Sequence, residues 1–195
     1  MRGERRGMNN GVIRTKKALK SALIDLLKEK EFREITISEI ASRAEYSRAT
    51  FYAHYQYKED LLDDLVQEVI EGFLSAFKEP YENNRESYDL GQLTPSAIKI
   101  FQYIGENEDA FSLLLKGSNL GFQEKLSEAI RSIFTQEYKF LFPRMPAHID
   151  REIYINQNVY TMLGLISYWV NSDYRYSAKY MTDQMLEIAK LSNPR

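Results

Sequence analysis

The chain has 195 residues, enough for one large domain or two small ones, and 44% of them are hydrophobic, which predicts a folded protein. Cysteine is absent, which excludes disulfides and thiolate metal sites and suits a reducing cytoplasm. No apolar run approaches the roughly 20 residues that cross a bilayer, so a membrane location is not expected.

The net charge of −2 conceals an uneven distribution of charge. Residues 1–58 contain 13 Lys and Arg against 7 Asp and Glu, a net of +6, whereas the remainder has a net of −8. A basic N-terminal third predicts that this end of the molecule meets a polyanion. The alternative is chance clustering of charge in a solvated arm, and we expect residues 1–11 to be a flexible basic arm without the apolar stretch of a secretory signal.

Residues 12–57 carry the pattern of three short helices. In TKKALKSALIDLLKEKEF the apolar residues recur at helical spacing, which predicts an amphipathic first helix. Thr36 and Glu39 have the spacing of a capping box at the start of a second helix. Ser47 is a suitable N-cap for a third helix, from about residue 48 to 54. Three short helices with a tight break between the last two are typical of a helix-turn-helix unit.

The rest of the chain also shows helical periodicity, so the predicted fold class is all-α. A long connecting helix is expected over residues 58–79, followed by a polar linker at 80–94 that is punctuated by Pro, Asn and Gly. A helical bundle for ligand binding and dimerisation is expected over residues 95–195. Its predicted helices cover 95–106, 108–116, 119–141, 149–171 and 177–191.

The third helix of the head has the side chains that a DNA-reading helix needs. Arg48, near its start, can reach guanine edges with two hydrogen bonds, and Thr50 can contact a phosphate or a thymine methyl. Three rigid side chains with polar tips suit phosphate oxygens: Tyr52, His54 and Tyr55. Lys58 begins the next helix, where free amides also favour a phosphate. Each of these residues, taken alone, is equally compatible with a structural role, and the prediction depends on the whole run.

The stretch ITISEIASRAEYSRATFYAHYQYKEDLL, residues 35–62, closely resembles the DNA-binding head of the TetR family of bacterial transcriptional regulators. The positions that match the family pattern are Thr36, Ile40, Ala41, Ala44, Ser47, Ala49, Thr50, Phe51, Tyr52, His54, Tyr55, Lys58 and Leu61. The resemblance implies DNA-facing roles for Thr36, Arg48, Thr50, Tyr52, His54 and Lys58. The predicted DNA-binding surface also includes Ser47, Ala49 and Tyr55.

One position departs from that pattern. The family usually has Gly at the turn between the second and third helices, where this chain has Glu45. Gly supplies positive φ without strain, and Glu does not. Either the turn differs slightly or strain of the order of 1 kcal/mol is tolerated.

The last two predicted helices are the dimerisation candidates, and the segment from Gly164 to Ile188 resembles a TetR subgroup in its turn and final helix. Two such helices from each of two chains would form a four-helix bundle with two-fold symmetry. The alternative is that their apolar stripes belong to the core of one chain. The predicted dimer residues are Val159, Leu163, Ile166, Val170, Met181, Met185 and Ile188.

The bundle is rich in aromatic residues and Met, which is typical of pockets for small apolar or aromatic ligands. The alternative is ordinary core packing of the same side chains. The pocket candidates are Phe101, Tyr103, Phe111, Phe134, Tyr138, Tyr160, Met162 and Trp169.

Enzymatic activity is not expected. The chain has no Gly-rich phosphate loop, no HExxH motif and no Glu-x-x-His pair for a di-iron site, so neither a metal nor another cofactor is predicted. The leading hypothesis is a homodimeric, ligand-responsive DNA-binding regulator, most often a repressor in this family, that binds a palindromic operator. The alternative is a partner-controlled co-regulator with the same fold and weak or lost DNA binding.

Overall fold

The computed structural model describes residues 2–79, 93–117, 121–137, 146 and 148–192. All the regular secondary structure in these ranges is helical, which confirms the predicted all-α fold. The chain divides into two compact units, residues 1–68 and 69–195. The division falls inside the long helix that the sequence predicts over residues 58–79.

The first unit contains the predicted three-helix head. Helix α1 (Arg2–Leu27) is followed by a short 3-10 turn (Phe32–Glu34), α2 (Ile37–Arg43) and α3 (Arg48–Tyr52), and α4 (Lys58–Lys78) begins at its end. Helix α1 starts at Arg2, which differs from the flexible arm expected for residues 1–11.

The two short helices of the head begin at the predicted caps. The Thr36 hydroxyl accepts a hydrogen bond from the Glu39 amide, and the Glu39 carboxylate accepts one from the Thr36 amide. The Ser47 hydroxyl accepts a hydrogen bond from the Thr50 amide. Buried apolar residues from all four helices and the loop after the 3-10 turn fill the space between them: Leu19, Leu23, Leu26, Ile35, Ile40, Phe51, Leu61 and Leu65.

The second unit begins within α4 and continues with α5 (Leu93–Glu106), α6 (Glu108–Lys116), α7 (Phe122–Gln136), α8 (Arg151–Asn171) and α9 (Ala178–Ser192). These bounds agree with the predicted helices to within a few residues. Most of the predicted linker and both ends of the predicted helix 119–141 lie outside the described residues. Helix α9 packs against α5, and α8 packs against α6 and α7.

The contact between α4 and α5 depends on a glycine. The Tyr103 hydroxyl donates a hydrogen bond to the Val69 carbonyl, and its ring lies directly over Gly72. A Cβ at position 72 would lie only 2.1 Å from the Tyr103 hydroxyl oxygen, so any larger residue would displace the tyrosine. This close approach explains a glycine in the interior of a helix, where it costs roughly 0.5–1 kcal/mol relative to Ala.

The turn between α2 and α3 has the positive φ that usually requires Gly, although Glu45 occupies the position. Glu45 has a φ of 61°, in the left-handed region. The Glu45 amide donates to the Ser42 carbonyl and the Tyr46 amide donates to the Ala41 carbonyl, which is the Schellman pattern that ends a helix. The strained alternative is therefore the one that the structure adopts.

We expect Glu45→Gly to stabilise the head by about 1 kcal/mol, because Gly adopts this φ without a Cβ penalty. Urea unfolding followed by circular dichroism would measure the change. Glu45→Ala is the matched control, since it removes the charge and keeps the strain, and it should leave stability nearly unchanged. Equal stabilisation by both variants would show that charge, not backbone strain, is the cost at this position.

Candidate nucleic-acid interface

Helix α3 has one buried side and one exposed side. Phe51 is fully buried and Tyr55, just after the helix, is 6% exposed. On the opposite side Arg48, Ala49 and Tyr52 are exposed. Residues four apart share a helix face, so the inner positions anchor the helix while the outer ones form a surface.

The outer face presents a cation and an amphipathic ring. The structure gives the Arg48 side chain no hydrogen bond or ion pair with any described residue, so its guanidinium is available to a ligand. Tyr52 is half exposed, and its ring meets Phe51 edge-on at 5.8 Å. This contact holds the ring while leaving the phenol tip on the surface. Thr50 and His54 are partly exposed beside them.

Tyr55 does not belong to this surface, so its predicted phosphate contact is wrong. Its hydroxyl donates a 2.5 Å hydrogen bond to Asp64 on α4, and the Lys16 ammonium lies 4.9 Å from its ring centre. Burial, followed by the hydrogen bond to Asp64, raises the pKa of Tyr55, so the hydroxyl keeps its proton. The tyrosine is an internal link between α3 and α4.

The Lys58 side chain also points inward. Its ammonium donates to the carbonyls of Phe32 at 2.8 Å, Arg33 at 3.2 Å and Ile35 at 2.8 Å, and it lies 4.7 Å from the Phe32 ring centre. An ammonium has three protons, and this geometry uses all of them. The predicted phosphate contact by this side chain is therefore wrong, because Lys58 instead ties the start of α4 to the 3-10 turn.

Two helix starts that could receive a phosphate already hold a carboxylate. Glu39 binds the Thr36 amide and hydroxyl at the start of α2, and it also accepts a 2.6 Å hydrogen bond from Lys30. The bond from Lys30 and then those from Thr36 lower the pKa of Glu39 to about 2, so it stays charged. At the start of α4, Asp60 accepts hydrogen bonds from the amides of Gln56 and Tyr57.

Two of the predicted DNA-facing residues, Thr36 and Ser47, use their hydroxyls in hydrogen bonds within the protein. The Thr36 hydroxyl is hydrogen-bonded to Glu39 as both donor and acceptor, which is not the DNA-facing role predicted for it. The Ser47 hydroxyl serves as the α3 cap and also bonds the Thr50 hydroxyl at 2.9 Å, yet its exposed position beside Arg48 is compatible with the prediction. Tyr57, 56% exposed, is a surface residue that the sequence analysis did not assign.

Most basic residues of the head whose side chains the structure describes are paired with acidic ones. Lys16 and Lys20 pair with carboxylates of α4, Arg43 with Glu29, and Lys30 with Glu39. Within the part of the head whose side chains the structure describes, the exposed cations without such a partner are Arg14, Lys17 and Arg48. The positive charge that this described part of the head offers to a polyanion is therefore concentrated on these three residues.

The predicted dimer residues are mostly core. Five of the seven are buried within one chain, and the prediction is wrong for them: Val159, Leu163, Ile166, Val170 and Met181. Met185 is partly exposed and Ile188 is 38% exposed. The sequence analysis missed a different stripe of α8, formed by exposed residues at helical spacing: Ile153, Gln157, Tyr160, Gly164 and Tyr168.

The pocket candidates do not form a single lining. Phe101 packs edge-on against Trp169, and Phe111 against Tyr103, so these rings fill the core. Met162 is buried and Phe134 partly exposed, while Tyr160 is 59% exposed on the surface of α8, contrary to the prediction. Tyr138 lies outside the described residues.

Two protein-family models match separate parts of the chain. Residues 20–65 match the model for bacterial regulatory proteins of the tetR family, and residues 91–191 match a model for a transcriptional regulator C-terminal region. The chain belongs to the TetR family. Members of this family are transcriptional regulators rather than enzymes, which confirms the prediction that this chain is not an enzyme.

Two curated relatives come from Bacillus subtilis (strain 168), and both are described as uncharacterized HTH-type transcriptional regulators. YxbF is 24% identical over 175 residues, which cover 87% of this chain and 43% of YxbF. YdeS is 30% identical over 122 residues, covering 63% of this chain and 58% of YdeS. The chain thus spans about half the length of the curated relatives that it matches.

Solved TetR-family structures share the fold. The fatty acid degradation regulator FadR from Bacillus halodurans aligns with a TM-score of 0.71 at 18% identity, covering 93% of this chain and 96% of FadR. FadR from Bacillus subtilis, in complex with stearoyl-CoA, aligns with a TM-score of 0.66 at 20% identity, covering 88% and 96%. At these identities the likeness concerns the fold alone. No helix in the described ranges is long and apolar enough to span a membrane.

We expect Lys58→Met to destabilise the head by about 2 kcal/mol, because three carbonyls lose a charged donor. Lys17→Met is the control, since Lys17 is an exposed lysine of α1, and it should change stability by less than about 0.5 kcal/mol. Urea unfolding of the two variants makes the comparison. Equal effects of the two substitutions would contradict the inward role of Lys58.

Proposed function

We propose that this TetR-family regulator is a homodimer that binds a two-fold symmetric operator with the outer face of α3. The observation that carries the proposal is the division of α3 into an anchored inner side and an exposed outer side, where Arg48 pairs with none of the described residues. A surface that is held rigidly and offers a free guanidinium suits the major groove.

The positions along α3 suggest a docking scheme. Arg48 lies in the first turn, where recognition helices contact base edges, and its fork matches the two acceptors of guanine. Ala49 beside it is small enough for close approach to a thymine methyl. Tyr52, His54 and Tyr57 lie towards the other end of the helix and beyond it, where their polar tips suit phosphate oxygens.

The exposed stripe of α8, which runs from Ile153 to Tyr168, supports a dimer. The exposed side chains along it carry no charge, and Tyr180 and Ile188 of α9 are exposed apolar residues as well. Gly164 lies in the middle of the stripe, and a Cβ there would meet no atom of the described residues within 4 Å. A glycine in an exposed helix interior is unfavourable unless another helix approaches closely at that point. A second copy of α8 related by two-fold symmetry is the partner that fits.

Two finer features of the proposal, repression and a response to a small effector, rest on what is usual in the TetR family. Repression is the commonest mode in the family, and binding of a small apolar or aromatic effector would shift the population towards a form that mismatches the operator. FadR from Bacillus subtilis, which shares this fold, was solved with stearoyl-CoA, a ligand with a long apolar chain. The packing of Phe101, Phe111 and Trp169 argues that any effector site lies elsewhere than among these three rings.

One observation favours the alternative, a co-regulator with weak DNA binding. Glu39 and Asp60 occupy two helix starts of the head, and Glu45 adds a third carboxylate on the same unit. These charges oppose a polyanion. The dependence of DNA binding on salt distinguishes the two functions, because a DNA-binding head releases counterions and a co-regulator does not.

The logarithm of the binding constant for the DNA upstream of the protein's own gene should fall linearly with the logarithm of salt concentration. The expected slope is about −0.9 for each phosphate neutralised. Fluorescence anisotropy would measure it.

Arg48→Ala should relax preference at one base position of each half-site, at a cost of about 1–3 kcal/mol for the preferred base. Tyr52→Phe should weaken binding to all sequences alike. Absence of binding at low salt would sink the proposal in favour of the co-regulator.

Tyr160→Arg should convert the dimer to a monomer, because it places two like charges against each other across a two-fold contact. Sedimentation velocity would report the change. Gln123→Arg, an exposed position of α7, adds the same charge elsewhere and should leave the dimer intact. A monomeric wild-type chain, or dissociation by both variants, would argue against this interface.

A further inference from the structure

Tyr55 and Asp64 form a junction that the docking scheme does not use. Tyr55 follows α3 directly, and its hydroxyl donates to Asp64 Oδ2 on α4 at 2.5 Å. Lys16 on α1 binds the same oxygen at 3.1 Å, and Lys20 lies 3.8 Å from the other carboxylate oxygen. The Asp64 carboxylate therefore joins three segments. Lys16 on α1 and Tyr55 after α3 are donors to it, and Asp64 itself lies on α4.

Burial alone would raise the pKa of Asp64, but the hydrogen bonds from Tyr55 and Lys16 and the charges of the two lysines outweigh it. The pKa of Asp64 is consequently lowered, and the carboxylate stays charged at neutral pH. A charged acceptor makes the hydrogen bond from Tyr55 stronger than a bond between neutral groups. Removal of the charge would also leave two lysine ammonium groups close together without this partner.

Helix α3 needs such a constraint because it has only five residues. Its other inner anchor, Phe51, is held by apolar packing, which is not directional. A hydrogen bond fixes direction as well as distance. The bond from Tyr55 therefore limits rotation of α3 about its own axis, and that rotation would move Arg48 and Tyr52 relative to the rest of the head.

We propose that Asp64 is a positioning residue for the recognition helix: through the Tyr55 hydroxyl it sets the orientation in which α3 presents Arg48 and Tyr52. This inference rests on the proposed function for its consequence in DNA recognition. Its structural part, the control of α3 by Asp64, is independent of DNA.

The chain offers matched variants. Tyr55→Phe removes only the hydroxyl and keeps the buried ring. Asp64→Asn keeps the size and an acceptor oxygen but removes the charge. Glu68→Gln is the control, because Glu68 lies one turn further along α4 and pairs with Lys20, with no contact to α3 among the hydrogen bonds and ion pairs of the described residues.

The first measurement is amide hydrogen exchange of the full-length variants without DNA. Tyr55→Phe should accelerate exchange in the α3 segment by about tenfold, since the bond lost is one to a charged group, and leave α2 unchanged. Asp64→Asn should give a smaller acceleration in the same segment, and Glu68→Gln none. Unchanged exchange in α3, or equal acceleration throughout the head, would overturn the inference.

The second measurement is discrimination between the upstream DNA fragment and a scrambled duplex of equal length. Tyr55→Phe should reduce the ratio of the two affinities by about tenfold and leave the salt slope unchanged, because a misoriented helix loses base contacts before phosphate contacts. A faster-exchanging α3 with full discrimination would overturn the positioning role. If the wild-type chain binds no DNA, the proposed function fails, and the exchange experiment still decides whether Asp64 controls α3.

Discussion

A helix of five residues cannot maintain its own shape in water, because the cost of starting a helix is recovered only over several turns. Helix α3 is such a helix, so its conformation and orientation come from its surroundings. The Ser47 cap fixes its first turn, Phe51 anchors its middle, and the bond from Tyr55 to Asp64 holds its end. The strained backbone at Glu45 sets the direction in which the chain enters it.

The need for the surroundings to hold α3 in place also explains how charge is distributed in the head. Lysines and carboxylates are paired between helices, and Lys58 satisfies three carbonyls of the segment around the 3-10 turn. These contacts stabilise the framework and neutralise the charges that take part in them. Arg48 differs from the paired cations because it projects from the outer face of α3. The candidate interface is thus a small exposed surface on a framework held by polar contacts.

The sequence predicted the local features well and the tertiary ones poorly. Caps at Thr36 and Ser47 depend on residues three positions apart, and the helices depend on periodicity within one segment, so both can be predicted from local sequence. The partners of Tyr55 and Lys58 lie in other helices and turns, and nothing in the neighbouring sequence identifies them.

The exposed stripe of α8 was missed for a different reason. The most apolar residues of α8, such as Val159 and Ile166, enter the core of one chain, and a search for hydrophobic spacing finds them first. The exposed stripe contains Tyr160 and Tyr168, whose phenol tips tolerate water while their rings remain apolar. Such residues resemble an ordinary surface in sequence, and only their exposure in the folded chain distinguishes them.

The central claim is that this chain recognises DNA with two copies of α3 related by two-fold symmetry. Selection of duplexes from a random-sequence DNA pool by the purified full-length protein tests it most directly. We expect enrichment of an inverted repeat whose half-sites lie about one helical turn, or a multiple of it, apart. Enrichment of no sequence, or of a single half-site without symmetry, would contradict it.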